Sequence, residues 1–145
     1  MAWTIGALAL LPGDLRALPM TVVTGTASDV GEERSYPLPA TDAVQVDRAA
    51  AVILVRSAGH AYAFALSCPH QNAAVKWYEG DHRFQCTKHD SKYQPDGVYT
   101  SGRATRNMDR FGIRLEQGAL VVDLDRVYRS DQDPAGWAAA TVAIG

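Results

Sequence analysis

Apolar and polar positions along this chain fall into short blocks with the two-residue period of strands. Ala61 to Leu66 shows it most plainly, with Tyr62, Phe64 and Leu66 alternating. Ala50 to Arg56 reads as its partner strand, and Ser57-Ala58-Gly59-His60 makes the turn between them. Met20 to Ala27 is rich in β-branched residues and reads as a strand, and Ala43 to Val46 as a short one. Val75 to Tyr78 is short and aromatic, Gly80-Asp81 turns the chain, and Arg83 to Cys86 returns. Pro95-Asp96-Gly97 is a strong turn signal between Lys92-Tyr93 and Val98-Tyr99. A last hairpin joins Phe111–Glu116 to Ala119–Leu124 through Gln117-Gly118. Between these blocks, residues 12 to 19 are a proline-bracketed connector. Residues 28 to 42, polar and acidic with Pro37 and Pro39, are loop or edge structure. Residues 101 to 110 are a basic loop. The tail from Ser130, with A-G-W-A-A-A, docks or frays. Many short strands at regular turn spacing predict an all-β sandwich or barrel.

Composition narrows the class. A chain of 145 residues is most simply one domain, and 47% apolar residues suffice for a core without disulfide staples. The net charge is -2 with interspersed signs, which gives no footprint of a nucleic-acid binder. Ala2 to Leu11 is apolar but too short to span a bilayer as a helix, which needs roughly 20 residues. It reads as the remnant of an anchor or signal, or as an element packed on the domain. No membrane span is expected in the chain as given. The expected organisation is an N-terminal extension over 1–19, a domain over 20–128 and a tail over 129–145.

The chemistry gathers between residues 68 and 93. The only two cysteines, Cys68 and Cys86, are each followed by a histidine, as Cys68-x-His70 and Cys86-x-x-His89. Two thiolates and two imidazoles can hold zinc or an iron–sulfur cluster. Zinc fingers group cysteines together and histidines together. Here each clip is mixed, which suits a two-iron centre in which one iron takes both cysteines and the other both histidines. His60 and His82 sit in turns and read as exposed loop residues. Trp3 and Trp137 read as packing residues. No nucleophile–base pair, phosphate-cradling loop or catalytic carboxylate pair is present in the sequence.

C-P-H…C-T-K-H resembles the C-x-H…C-x-x-H signature of Rieske [2Fe–2S] proteins, and the resemblance runs from about residue 50 to 125. It implies a Rieske-type antiparallel β-sandwich with a small cluster-binding subdomain, about residues 67–107, formed by two loops. It implies one [2Fe–2S] cluster held by Cys68, His70, Cys86 and His89, with the histidine-bound iron at an exposed tip where electrons enter and leave. Two neutral histidines leave an oxidised centre near zero charge. Rieske potentials accordingly lie at roughly -150 to +300 mV, against about -400 mV for plant-type ferredoxins. Reduction makes the histidines more basic, so the potential should fall as pH rises through their oxidised-state pKa.

Asp90-Ser91-Lys92-Tyr93 is similar to the H-G-S-x-Y continuation of the Rieske subunits of cytochrome bc complexes. There the serine bonds a bridging sulfide and the tyrosine a cysteine sulfur, which raises the potential. Ser91 and Tyr93 match that pair; a simpler reading makes them a turn residue and a core residue. Other positions depart from the pattern. Ala73 and Lys88 stand where a disulfide joins the two loops, so packing from Trp77, Tyr78 and Phe84 must hold them instead. Gln71-Asn72 is polar where quinol-oxidising subunits favour Leu-Gly, which weighs against a quinol pocket. The third, cluster-covering loop carries Arg103 and Arg106 in place of apolar or neutral positions. These cations would raise the potential further and favour an acidic partner surface. The absence of the disulfide is similar to the small Rieske subunits of arsenite oxidases.

The resulting expectation is one-electron transfer with no substrate chemistry of its own, either alone or as a subunit of an oxidoreductase complex. The partner would be a redox protein such as a cytochrome, and the setting periplasmic or membrane-associated. Two alternatives stand beside it: a ferredoxin feeding a ring-hydroxylating oxygenase, and a non-redox zinc protein.

Overall fold

The structure is a computed structural model and describes residues 20–27, 31–69, 73–88 and 90–145. The apolar N-terminal stretch with its connector, the Gln71-Asn72 tip, His70 and His89 lie outside the described residues. In chain order the strands are β1 (Thr21–Val22), β2 (Thr26–Ala27), β3 (Glu33–Pro37), β4 (Ala43–Asp47), β5 (Val52–Ser57) and β6 (His60–Ala65). There follow β7 (Val75–Tyr78), β8 (Arg83–Cys86), β9 (Lys92–Tyr93), β10 (Tyr99–Ser101), β11 (Arg110–Glu116) and β12 (Ala119–Tyr128). A six-residue helix, α1 (Pro134–Ala139), and a final strand, β13 (Val142–Ala143), complete the chain.

Two sheets result. The larger runs β1-β4-β5-β6-β11-β12-β3-β2, with β13 added on β6; the smaller runs β10-β9-β8-β7. All the ladders are antiparallel except β1 on β4. β1 and β2 end opposite edges of the larger sheet, yet only residues 23–25 separate them. Three residues reach at most about 3.5 Å each. The sheet must therefore curl until its edges meet. A register shift between Phe111 and Gly112 in the β11–β12 pair marks one bend.

The expected strand over Met20–Ala27 is thus two short strands on different partners. The crossing is pinned by Val23 N–H on Val46 O (2.8 Å) and Gly25 N–H on Asp47 Oδ2 (3.0 Å). Residues 33–37, expected as loop or edge, form a full strand between β12 and β2. Pro37 is its last residue, where a missing N–H matters least. The tail docks. Asp133 accepts from Gly136 N–H at the start of α1, with Pro134 at the first helical position, and β13 pairs with β6.

Burial explains why the β5–β6 hairpin lies at the centre. Both faces of it are covered. Val52, Leu54, Ala61 and Ala63 point into a core with Tyr36, Phe111, Leu120 and Val122. Ile53, Val55 and Phe64 point the other way, into a core with Val75, Trp77, Phe84, Tyr93, Met108 and both cysteines. The second core glues the small sheet to the large one. Each fully buried aromatic or aliphatic side chain in it contributes roughly 1.5–3 kcal/mol.

Candidate metal centre

The two clips are the tips of two neighbouring hairpins. After β6 the chain closes a narrow stem: Val75 N–H bonds Leu66 O (3.0 Å), Ser67 bridges Ala74, and Cys68 N–H bonds Ala73 O (2.7 Å). The second tip leaves β8 at Cys86 and is closed by Cys86 N–H on Ser91 O (2.8 Å). The β7–β8 ladder joins the two tips, with Val75 opposite Cys86 and Thr87 N–H on Ala74 O (3.2 Å). Cys68 and Cys86 are both buried and neither is joined in a disulfide. At the two positions where a disulfide is missing, Ala73 is buried and Lys88 exposed. The hairpin ladder therefore does the joining. Trp77 and Phe84 back it with ring centroids 4.9 Å apart in the core. Tyr78 is half-exposed, under the Arg83 guanidinium.

Tyr93 is fully buried on β9, and its Oη lies 3.4 Å from Cys68 Sγ. Burial first, then this bond, pushes its phenol well above the ordinary range. Tyr93 therefore keeps its proton, which it can donate to a Cys68 thiolate, a group that can only accept. Ser91 is also fully buried, and its Oγ accepts from Ala104 N–H (3.0 Å). A hydroxyl that accepts there keeps its own proton to donate. The loop after β10 makes this possible. Gly102 adopts φ +106, and a Cβ on it would overlap Ser91 Cα. Tyr99 Oη–H holds Gly102 O in place. Ala104, which nothing in the sequence marks, is the buried residue of this loop.

The two arginines of the loop differ. Arg103 is exposed. Arg106 forks onto Asp109, with Nε–Oδ1 at 2.8 Å and Nη2–Oδ2 at 3.0 Å, and its charge is largely balanced there. Asn107 anchors the end of the loop: its Oδ1 accepts from Tyr99 N–H (2.9 Å), and its N–H reaches Ser130 Oγ (3.1 Å). His60 and His82 are exposed, far from each other in sequence and in different sheets' turns. Trp137 is buried and packs on Arg110, with the guanidinium 3.6 Å from the ring centroid.

Among the described residues no set of three or more His, Cys, Asp or Glu side chains gathers. Two buried thiols on adjacent hairpins, one of them in contact with the Tyr93 hydroxyl, make a soft donor set. That set fits an iron–sulfur cluster.

A family model described as the Rieske [2Fe-2S] domain matches residues 23–115. No curated protein matches the chain. Among solved structures, the cyanobacterial plasma membrane Rieske protein PetC3 from Synechocystis PCC 6803 is similar at 19% identity and a TM-score of 0.45. The similarity covers 63% of this chain and 85% of that one. Well over half of the sequence lies within the family match, and the chain belongs to the Rieske [2Fe–2S] domain family, whose β-sheet fold, single [2Fe–2S] cluster and iron–sulfur electron transfer it shares.

Proposed function

We propose that this protein is a high-potential Rieske electron carrier, with Cys68, Cys86, His70 and His89 as the cluster ligands. One observation carries the reading: the buried Tyr93 hydroxyl on Cys68 Sγ, with the buried Ser91 hydroxyl held in place by Ala104 N–H. The cluster, when bound, supplies a one-electron couple. Tyr93 lends its proton to the Cys68 sulfur, and Ser91 is assigned the second bond, to sulfide. Both bonds strengthen as negative charge on sulfur grows, so both favour the reduced protein. The hairpin ladder and the core behind it exclude water from the thiol side. His70 and His89 are assigned as the ligands that face the partner.

A respiratory setting, with electrons passing to a cytochrome at a periplasmic or membrane-associated site, follows from a high potential. The ferredoxin alternative, an oxygenase partner, goes with a low one. The zinc alternative falls with the family match. Among the described residues no helix is long and apolar enough to cross a membrane. The deciding experiment is a redox titration of the purified holoprotein followed by visible absorption and EPR. A midpoint well above zero supports the high-potential carrier, and a clearly negative midpoint supports the ferredoxin.

A further inference from the structure

The small sheet has one face in the core and one outside. Val75, Trp77, Phe84, Cys86 and Tyr93 point inward. On the other face, Lys76 stands opposite Gln85, and Gln85 opposite Lys92, in one row across β7, β8 and β9. Gln85 immediately precedes Cys86, so this row lies one residue, about 3.3 Å of strand, from a proposed cluster ligand. Exposed Lys88 sits in the second tip. Exposed Arg103 rides on the loop that crosses Ser91. None of these four cations pairs with a described carboxylate.

Of the acids nearest this face, Asp81 is balanced by a cation and Asp90 is held by a neutral amide. Asp90 accepts from Gln85 Nε2 (2.9 Å), and Asp81 pairs with Arg83 (3.3 Å). Residues 73–107 carry six Lys and Arg against four Asp and Glu, whereas the whole chain carries 14 against 16. The cluster end is thus cationic on an acidic protein. The exposed large hydrophobics, Val22, Leu115 and Val127, all lie on the other sheet. Among the described residues none of the exposed large hydrophobics lies on the cationic face, and its half-exposed Tyr78 is covered by the Arg83 guanidinium, which favours a protein over a lipid surface.

We infer that the outer face of β7–β9, centred on Lys76 and Lys92 and continued by Lys88 and Arg103, docks an electron-transfer protein whose redox centre is ringed by carboxylates. The inference rests on the electron-carrier reading and names the chemistry of its partner. The four cations attract and orient an acidic surface on the sheet that joins the two Cys/His clips, so encounter takes place at the end of the molecule to which the assigned electron ports His70 and His89 belong. Of the two loop arginines, only Arg103 has its charge available for this.

The test uses small redox probes of opposite charge. Reduced holoprotein gives one electron to hexacyanoferrate(III), which becomes hexacyanoferrate(II), and the rate is followed by stopped flow at fixed pH. An anionic protein repels this trianion, so its overall charge predicts a rate that rises with salt. A cationic exit face predicts the opposite: a fall of about tenfold between low and physiological ionic strength. A cobalt(III) phenanthroline trication should show the reverse trend. Lys76→Gln with Lys92→Gln should flatten both salt dependences and leave the cluster spectrum unchanged. A rate with hexacyanoferrate(III) that rises with salt, or a salt slope untouched by the double variant, overturns the inference.

A second readout needs no electron transfer. Redox-inert hexacyanochromate(III) should broaden the NMR signals of Lys76, Gln85 and Lys92 before those elsewhere. Broadening centred on another surface overturns the docking face even if the potential proves high. A low midpoint with broadening at these lysines removes the high-potential reading and keeps the face. Binding to phosphatidylglycerol vesicles at physiological salt, abolished by the double variant, would replace the protein partner by a lipid surface.

Discussion

Tyr93→Phe removes one oxygen atom and leaves the ring in the core that joins the two sheets. The hydroxyl lies 3.4 Å from Cys68 Sγ, so one O–H···S bond is lost. A hydrogen bond to a charged acceptor is worth about 1.5–3 kcal/mol. Only the part that grows on reduction bears on the potential, because the bond is present in both states. Taking that part as about 1 kcal/mol, and about 59 mV per tenfold for a one-electron couple, the midpoint should fall by about 40 mV. Ser91→Ala should lower it by a similar amount. The substitution is larger in context, since it also orphans the buried Ala104 N–H. Protein-film voltammetry on wild type and variant at one pH reads the difference directly. Cluster content, measured by acid-labile sulfide, shows that the site is intact. An unchanged Tyr93→Phe midpoint with full cluster content would refute the idea that this hydroxyl tunes the centre. A raised midpoint would reverse its sign.

Two further predictions concern the frame. Asp47 is buried, and its carboxylate accepts from Gly25 N–H (3.0 Å), Ala50 N–H (3.1 Å) and Tyr36 Oη–H (2.9 Å). Burial alone would raise its pKa, but these bonds outweigh burial and lower it. Its contribution is therefore present above the unfolded value of about 3.9 and is lost as pH falls through the lower folded value. Asp47→Asn should cost about 1–3 kcal/mol at pH 7, and the gap to wild type in urea unfolding should close as pH drops below about 4; a gap constant with pH would contradict this. Arg110 is buried without a carboxylate. Its Nη1 donates to Trp137 O (2.8 Å) and its Nη2 to Asp96 O (2.7 Å), and Trp137 and Tyr62 cover its faces. Arg110→Met should destabilise the fold by about 2–3 kcal/mol in the same assay, by freeing the Asp96 turn and the C-terminal helix together; equal or greater stability would show that the cation is a net cost.

The sequence exposed what local chemistry demands and hid what distant chain supplies. The Cys/His clips were legible because ligands of fixed type must recur at short spacing. The β5–β6 and β11–β12 hairpins were legible because a turn and its flanking strands are local. β3 was obscured by Pro37 and Pro39, since a proline reads as a break and not as the end of a strand. What makes β3 a strand is Tyr36, held 11 residues downstream by Asp47 and paired with β12 from the far end of the chain. Arg110 read as part of a basic loop. Its environment comes from Trp137, 27 residues later, and no local pattern could announce it. In the third loop the charges drew attention to Arg103 and Arg106. The residue that touches Ser91 is Ala104, and it does so through its backbone N–H, which any non-proline residue carries.

That last contact bears on how the chain manages without the loop disulfide. A disulfide would tie the two clips to each other at Ala73 and Lys88. Here each clip is closed at its own base, by Cys68 N–H on Ala73 O and by Cys86 N–H on Ser91 O. The clips are then joined through Thr87 N–H and the β7–β8 ladder. The third loop is fixed at both ends, by Tyr99 on Gly102 and by Asn107 on Ser130. The tail that supplies Ser130 is itself fastened by Arg110 and Trp137. The restraint that a covalent bond would concentrate at one point is spread over backbone bonds of about 1 kcal/mol each. Such bonds break together when the fold opens. Loss of the cluster should therefore coincide with global unfolding under denaturant, and a thiol reductant should leave cluster retention unchanged.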